Sequence, residues 1–275
     1  MTVKKLRSIF QLLTAVFGLA TAPSWATQAK PSLLMVADSW CPYNCEPSAL
    51  RRGYMIDVLE KVLGQHYQLS SQLIPWTRAV SMVQDDKAQL LIASTFSESP
   101  LLKPSVLLGA GRICFFARKG NPWRYNSIND LKGLRLGVVQ DYTYDDGGPL
   151  DAFLASCREQ NATGFEIATG ANAIETSFRK LNAGRMDVVL ENENVGLHTI
   201  RSLKLEEVID VAGCNNQWVV SLHVSVSSKR RDAQKILSRI NNGVAALRRS
   251  GELGAILASY GVRDWTTVKL SRPGK

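Results

Sequence analysis

The chain has 275 residues, of which 45% are apolar, and a formal charge of +9 at neutral pH. That is enough apolar material for a real core in one large domain or two lobes, and it excludes a disordered chain. The basic residues are spread along the sequence without a dense run, so nothing points to nucleic acid and the charge supports at most a mild preference for anionic ligands or surfaces.

The chain opens on Lys4, Lys5 and Arg7, then an apolar run from Ile9 to Leu19, then the small-x-small site Ser24-Trp25-Ala26. This is the layout of a secretory signal peptide over residues 1–26. The run falls short of the ~20 residues a spanning helix needs, and no later stretch qualifies. The expectation is an exported, soluble mature chain starting near Thr27, with about +6 of the charge left once the three basic residues of the leader are removed. No cysteine follows the cleavage site directly, which argues against a lipid anchor.

Leu33 to Ala37 reads as a short buried strand. After a loop from Cys41 to Gly53, Met55, Val58, Leu59, Val62 and Leu63 recur at helical spacing, with Gly64 as the stop. Tyr67 to Leu73 alternates as a strand, a short helix follows around Ala79 to Val83, and Gln89 to Ala93 is another buried strand. The β-α-β-α-β order favours a mainly parallel sheet covered by helices.

The same alternation begins again beyond Ile113 to Arg118. Leu134 to Val139 reads as a strand, Leu150, Phe153, Leu154 and Cys157 form a helical stripe, and Phe165 to Ala168, Ala173 to Leu181 and Met186 to Leu190 read as strand, helix and strand. Gln217 to Val226 alternates as a long strand, and two amphipathic helices close the chain. Two similar α/β units imply two lobes, with the stretches at 113–118 and 217–226 as the passages between them.

Five cysteines make an odd count for an exported chain. Cys41 and Cys45 bracket Pro42-Tyr43-Asn44, one residue too many for C-x-x-C, so a local disulfide that stiffens the loop is expected rather than a redox motif. Cys157 and Cys214 are the candidate second pair, with burial of Cys157 on its helix face as the open alternative. Cys114, in an apolar strand, is expected to be a buried free thiol.

No catalytic constellation, metal-ligand spacing or cofactor motif emerges. His66, His198 and His223 are scattered, and neither H-E-x-x-H nor G-x-S-x-G is present. Gly109-Ala110-Gly111 lacks the following helix of a phosphate loop.

The order of Trp40-Cys41-Pro42-Tyr43, Gly53-Tyr54-Met55-Ile56-Asp57-Val58-Leu59, Pro75-Trp76-Thr77-Arg78-Ala79, the segment Asp130 to Val138, Gly184-Arg185-Met186-Asp187 and the closing Arg248 to Gly261 resembles the periplasmic solute-binding proteins of family 3, the polar amino acid type. The resemblance covers nearly the whole mature chain. It implies an α/β, two-lobed periplasmic-binding-protein fold of type II, with two crossover strands and a ligand cleft. Lobe 1 would comprise 27–113 plus 219–275, and lobe 2 would comprise 114–218. It also implies a periplasmic monomer that closes on a small polar solute and serves an inner-membrane permease of the ABC type or a sensor, with no cofactor.

Ligands of open α/β sheets gather at the carboxyl ends of strands, so the loops after Ala37, Ala93, Val139 and Leu190 should face the cleft. The resemblance puts Thr95 and Ser97 at the first-lobe strand end where an arginine usually holds the ligand carboxylate. Here Glu98 stands in about its place. Glu191 matches the aspartate that pairs with the ligand ammonium, and Thr143 matches a threonine that cradles an anion with the next helix N-terminus, although Asp141 and Asp145 beside it would oppose an anion or cap the helix. Arg78 and Arg112 are the candidate substitutes for the missing arginine, with a hinge role open for Arg112. Trp40, Tyr43, Trp76 and Tyr142 are candidate pocket walls, with Tyr144 beside them.

Two other readings stand beside solute capture. The same fold resembles periplasmic cyclohexadienyl dehydratases, in which Glu191 would act as an acid. A domain that has lost transport and recognises a partner surface is the third.

Overall fold

A computed structural model describes residues 29–95, 101–104, 106–170 and 172–266. The signal peptide read at 1–26, and Ser97 and Glu98, lie outside the described residues.

Two five-stranded mixed sheets organise the chain. The first takes β1 (Ser32–Ala37), β2 (Gln68–Leu73), β3 (Leu90–Ser94), a short β4 (Gly109–Gly111) and β10 (Val220–Val226), in the order β2-β1-β3-β10-β4. The second takes β5 (Ile113–Arg118), β6 (Leu136–Val139), β7 (Phe165–Ala168), β8 (Val188–Asn192) and β9 (Ile209–Cys214), in the order β7-β6-β8-β5-β9. In each sheet three strands run parallel, and the fourth in the order is antiparallel to both its neighbours.

The sequence explains the layering. Strands buried on both faces read as unbroken apolar runs, as in β3 and β8, where every residue is buried. The edge strand β2 instead alternates exposed and half-buried positions. Helix α1 (Tyr54–Leu63) buries Tyr54, Met55, Ile56, Val58, Leu59 and Leu63. It packs on α6 (Ala233–Ser250), which turns Ile236, Leu237, Ile240 and Val244 inward. Helix α2 (Trp76–Gln84) lies on β1 and β3, and α7 (Glu252–Ser259) closes against α1. In the second half, α3 (Pro149–Glu159), α4 (Ala173–Asn182) and α5 (Glu193–Ser202) complete the layers. Phe115, Phe116 and Phe178 lie fully buried there.

The chain leaves the first sheet at Gly111 and enters the second at Ile113, so Arg112 alone spans the passage. It returns between Cys214 and Val220.

The Cys41–Cys45 bond forms as expected. The second pairing differs: Cys114 bonds Cys214, and Cys157 is a half-buried free thiol on α3. The reason is strand register. Cys114 and Cys214 are facing partners of antiparallel β5 and β9, with Cα atoms 3.9 Å apart. β9 carries no apolar alternation clear enough to be read in advance: its burial pattern is mixed, with Asp210 exposed.

Candidate functional site

Where the two sheets face one another, a cavity of about 50 Å³ is lined by Asp38, Trp40, Trp76, Ala93, Thr95 and Ile113, and by Tyr142, Thr143, Tyr144, Glu191, Asn192 and Val220. Strand ends supply it. Asp38 and Trp40 follow β1, Thr95 follows β3, Tyr142 to Tyr144 follow β6, and Glu191 and Asn192 end β8. At the β3 rim the register with β10 shifts and Ala93 takes a positive φ of 58°. Such a bulge re-aims the chain next to a site.

Hydrogen bonds cross between the halves around the cavity. The Trp40 Nε1–H donates to Glu191 Oε1 at 3.1 Å, and the Tyr43 hydroxyl donates to Asn192 Oδ1 at 3.0 Å. Asn194 Nδ2 donates to the Tyr43 hydroxyl at 3.0 Å, and the Tyr142 hydroxyl donates to Asp38 Oδ2. On the rim, Thr77 Oγ1 donates to Asp141 Oδ2 at 2.6 Å.

The electrostatics are acidic. Glu191 is 1% exposed. Its Oε1 accepts from Trp40 and from the Asn192 N–H, while Oε2 is buried with no protein partner. Burial, assisted by the like charge of Asp38, pushes its carboxyl from the usual 4.5 up to about 8, against the pull of those hydrogen bonds. Loss of water likewise raises Asp38 to about 6, opposed by the Tyr142 hydroxyl. Burial holds the Tyr43, Tyr142 and Tyr144 hydroxyls above their ordinary value, so they stay neutral. Among the described residues no lysine, arginine or histidine lines the cavity.

Of the candidate residues, Trp40, Trp76, Thr95, Tyr142, Thr143 and Glu191 meet at this cavity. Tyr43 is fully buried behind it, stacked on Trp40 with ring centroids 4.7 Å apart. Arg78 sits exposed on α2 and does not line the cavity. Arg112 does not line it either. Its Nε and Nη2 each reach a Glu193 oxygen at 2.8 Å, and its Nη1 donates to Asn216 Oδ1 at 2.7 Å. That joins the first passage between sheets to the start of α5 and to the return passage.

The α3 N-terminus also departs from the anion cradle that the resemblance implies. Asp145 accepts from the Leu150 and Asp151 N–H groups at 2.7 and 3.0 Å. Asp151 in turn accepts from the Tyr144 and Gly147 N–H groups, both at 2.8 Å. The chain's own carboxylates therefore take these donors.

Asp38 and Asn192 were not singled out from the sequence. Asn192 adjoins Glu191 and Asp38 directly follows Ala37, both at strand ends already expected to face the cleft, so position in the sheet was the available signal.

No family model matches the chain. A 149-residue stretch is 24% identical to the L-cystine-binding protein TcyJ of Escherichia coli K12, covering 54% of this chain and 50% of that protein. The match thus spans about half the length of this curated relative. Among solved structures, an ancestral arginine-binding protein bound to arginine superposes with a TM-score of 0.67 at 15% identity, covering 84% of this chain and 98% of that one. A histidine kinase sensor domain with similarity to periplasmic binding proteins gives a TM-score of 0.67 at 17% identity, covering 84% and 96%. Among the described residues no helix is long and apolar enough to cross a membrane. The chain has the two-lobed α/β fold of the periplasmic binding proteins.

Proposed function

We propose that this protein captures a small polar solute, an amino acid or a related compound, by closing two lobes over it. The captured solute is delivered to an ABC-type permease or reported to a sensor. The lobes are 27–113 with 219–275, and 114–218. The leader at 1–26 exports the chain to the periplasm, where it acts as a monomer. One observation carries this reading: a cavity walled by strand ends of both sheets and ringed by hydrogen bonds that run from one half to the other. Such bonds form only when the halves meet, so occupancy and closure are linked. The likeness to binding proteins, one of them a kinase sensor domain, supports capture without choosing between permease and sensor.

Small-angle scattering of the mature protein, with and without members of a panel of amino acids, amines, peptides and sugars, tests it. A fall in radius of gyration with one compound class, together with a rise in melting temperature, is the expected result. No change in either across the panel would refute capture.

The buried, raised carboxyl of Glu191 gives the dehydratase reading its one specific support. Turnover of prephenate by the purified protein would establish it, and its absence would remove it.

A further inference from the structure

We propose that the captured solute is a small organic cation without a carboxylate, an amine held by Asp38 and Glu191 against Trp40, Trp76 and Tyr142. This rests on the capture reading and adds the ligand class.

The first ground is an unpartnered buried oxygen. Glu191 lines the cavity, and its Oε2 is buried with no hydrogen-bond donor among the described residues. A carboxylate left so is strongly disfavoured unless a donor arrives. Asp38, from the other half, is a second carboxylate of the same sign, and the Tyr142 hydroxyl and the Asp38 backbone N–H that donate to it are both neutral. An ammonium group supplies up to three N–H donors and the missing positive charge at once.

The second ground is the lack of a cationic partner for a ligand carboxylate. An amino acid also presents a carboxylate, and among the described residues no cation lines the cavity to receive one. Arg78 is exposed on α2, Arg112 is paired with Glu193, and the α3 N-terminal donors are taken by Asp145 and Asp151. Lys103 donates to the Thr95 carbonyl and is not among the lining residues. A ligand carboxylate placed here would face Asp38 and Glu191 with no cation to offset them.

The third ground is the wall. Trp40, Trp76 and Tyr142 present aromatic surface to the same cavity as the carboxylates, and aromatic faces attract organic cations. At about 50 Å³ the cavity is small, which suits a compact amine.

The test uses three probes of related length: 1,4-diaminobutane, L-ornithine, which is that diamine with one carboxylate added, and succinate. Calorimetry on the mature protein should show the diamine binding about tenfold or more tightly than ornithine, with no heat from succinate. Asp38→Asn and Glu191→Gln keep side-chain size, and each should weaken the diamine by about tenfold or more while the far-ultraviolet spectrum and cooperative melting stay intact. Ornithine or succinate binding as tightly as the diamine would overturn the proposal, and so would diamine affinity unchanged in both variants. Scattering separates the two levels. Lobe closure on ornithine or succinate but not on the diamine overturns the cation and keeps solute capture. Failure of these probes and of the wider panel to close the lobes overturns both.

Discussion

Replacing Glu191 with Gln tests whether the cleft carboxyl is held against its own chemistry. Glu191 is 1% exposed, keeps one oxygen hydrogen-bonded and leaves the other bare. In the unfolded chain it titrates near 4.5, and in the closed fold burial lifts it to about 8. Between those two values the folded protein binds a proton that the unfolded chain has released, so stability falls as pH rises through the window. At about 1.4 kcal/mol per pH unit the interval corresponds to roughly 3–5 kcal/mol above pH 8, and to nothing below the unfolded value. Gln has no such proton, and its carbonyl oxygen can still accept from Trp40. The ligand-free variant should therefore match the wild type near pH 4 and exceed it near pH 8.5 by up to several kcal/mol, the full amount applying to the closed form. That is a melting-temperature gap on the order of 6–15 °C for a chain of this size. Thermal and urea unfolding of both proteins across this range gives the difference curve. Asp38→Asn should show a smaller gain that levels off near pH 6, where Asp38 itself titrates. A gap for Glu191→Gln that stays constant with pH, or shrinks toward alkaline pH, would refute the reasoning.

Gly53 holds a φ of 110°, and a Cβ there would stand 2.4 Å from the Tyr43 carbonyl oxygen and 2.5 Å from Asn44 Cα. Gly53→Ala should therefore lose about 2–4 kcal/mol in urea unfolding, since backbone rather than a movable side chain blocks it. Cys214→Ser opens the Cys114 bond across a separation of 100 residues and should lose about 2–5 kcal/mol under oxidising conditions, while Cys157→Ser stays within about 1 kcal/mol of wild type. Arg112→Ala removes a brace whose side chain is 41% exposed, so unfolding should change by only about 0.5–1 kcal/mol. Because the brace touches the passages and not the cavity, its loss should shift the affinities of all bound probes by one common factor, leaving their order unchanged in calorimetry.

Much of the architecture was legible because apolar period and layer position coincide. The run Leu33 to Ala37, the helical stripe from Met55 to Leu63 with Gly64 after it, and the strand Phe165 to Ala168 all fall where the pattern puts them. β9 was not legible. Its mixed burial carries no period, and without it the cross-strand meeting of Cys114 and Cys214 could not be foreseen. The site divides along similar lines. Strand ends told which loops converge, and Trp40, Trp76, Thr95, Tyr142, Thr143 and Glu191 do converge. The arginines were misleading because motif position does not fix where a long, flexible side chain points. Arg78, in the first turn of α2, is exposed, and Arg112 is captured by Glu193. Asp38, by contrast, sits in line with its strand, and it is the backbone that delivers it to the cavity.

The same two carboxylates give closure its direction. Bringing the halves together removes water from Asp38 and Glu191, so an empty closed form must hold a proton on Glu191 or carry unpaired negative charge. A bound cation reverses that penalty and so favours the closed state by its differential affinity, the only means by which a ligand can shift such an equilibrium. Binding then has to expel the proton. The groups facing Glu191 from the first half are Asp38, Trp40 and Tyr43, and those from the second are Tyr142 and Tyr144. The tyrosines remain protonated, which leaves Asp38 and Glu191 to titrate between about pH 4 and 8. At pH 7 the heat of diamine binding should thus vary with the ionisation enthalpy of the buffer, in the sense of protons released. The dependence should fade by about pH 9, where Glu191 is already ionised in the empty protein. Affinity should rise across the same interval. A heat of binding that is independent of buffer at pH 7 would mean that Glu191 is ionised before the ligand arrives, and the carboxylates could not then set the direction of closure by this route.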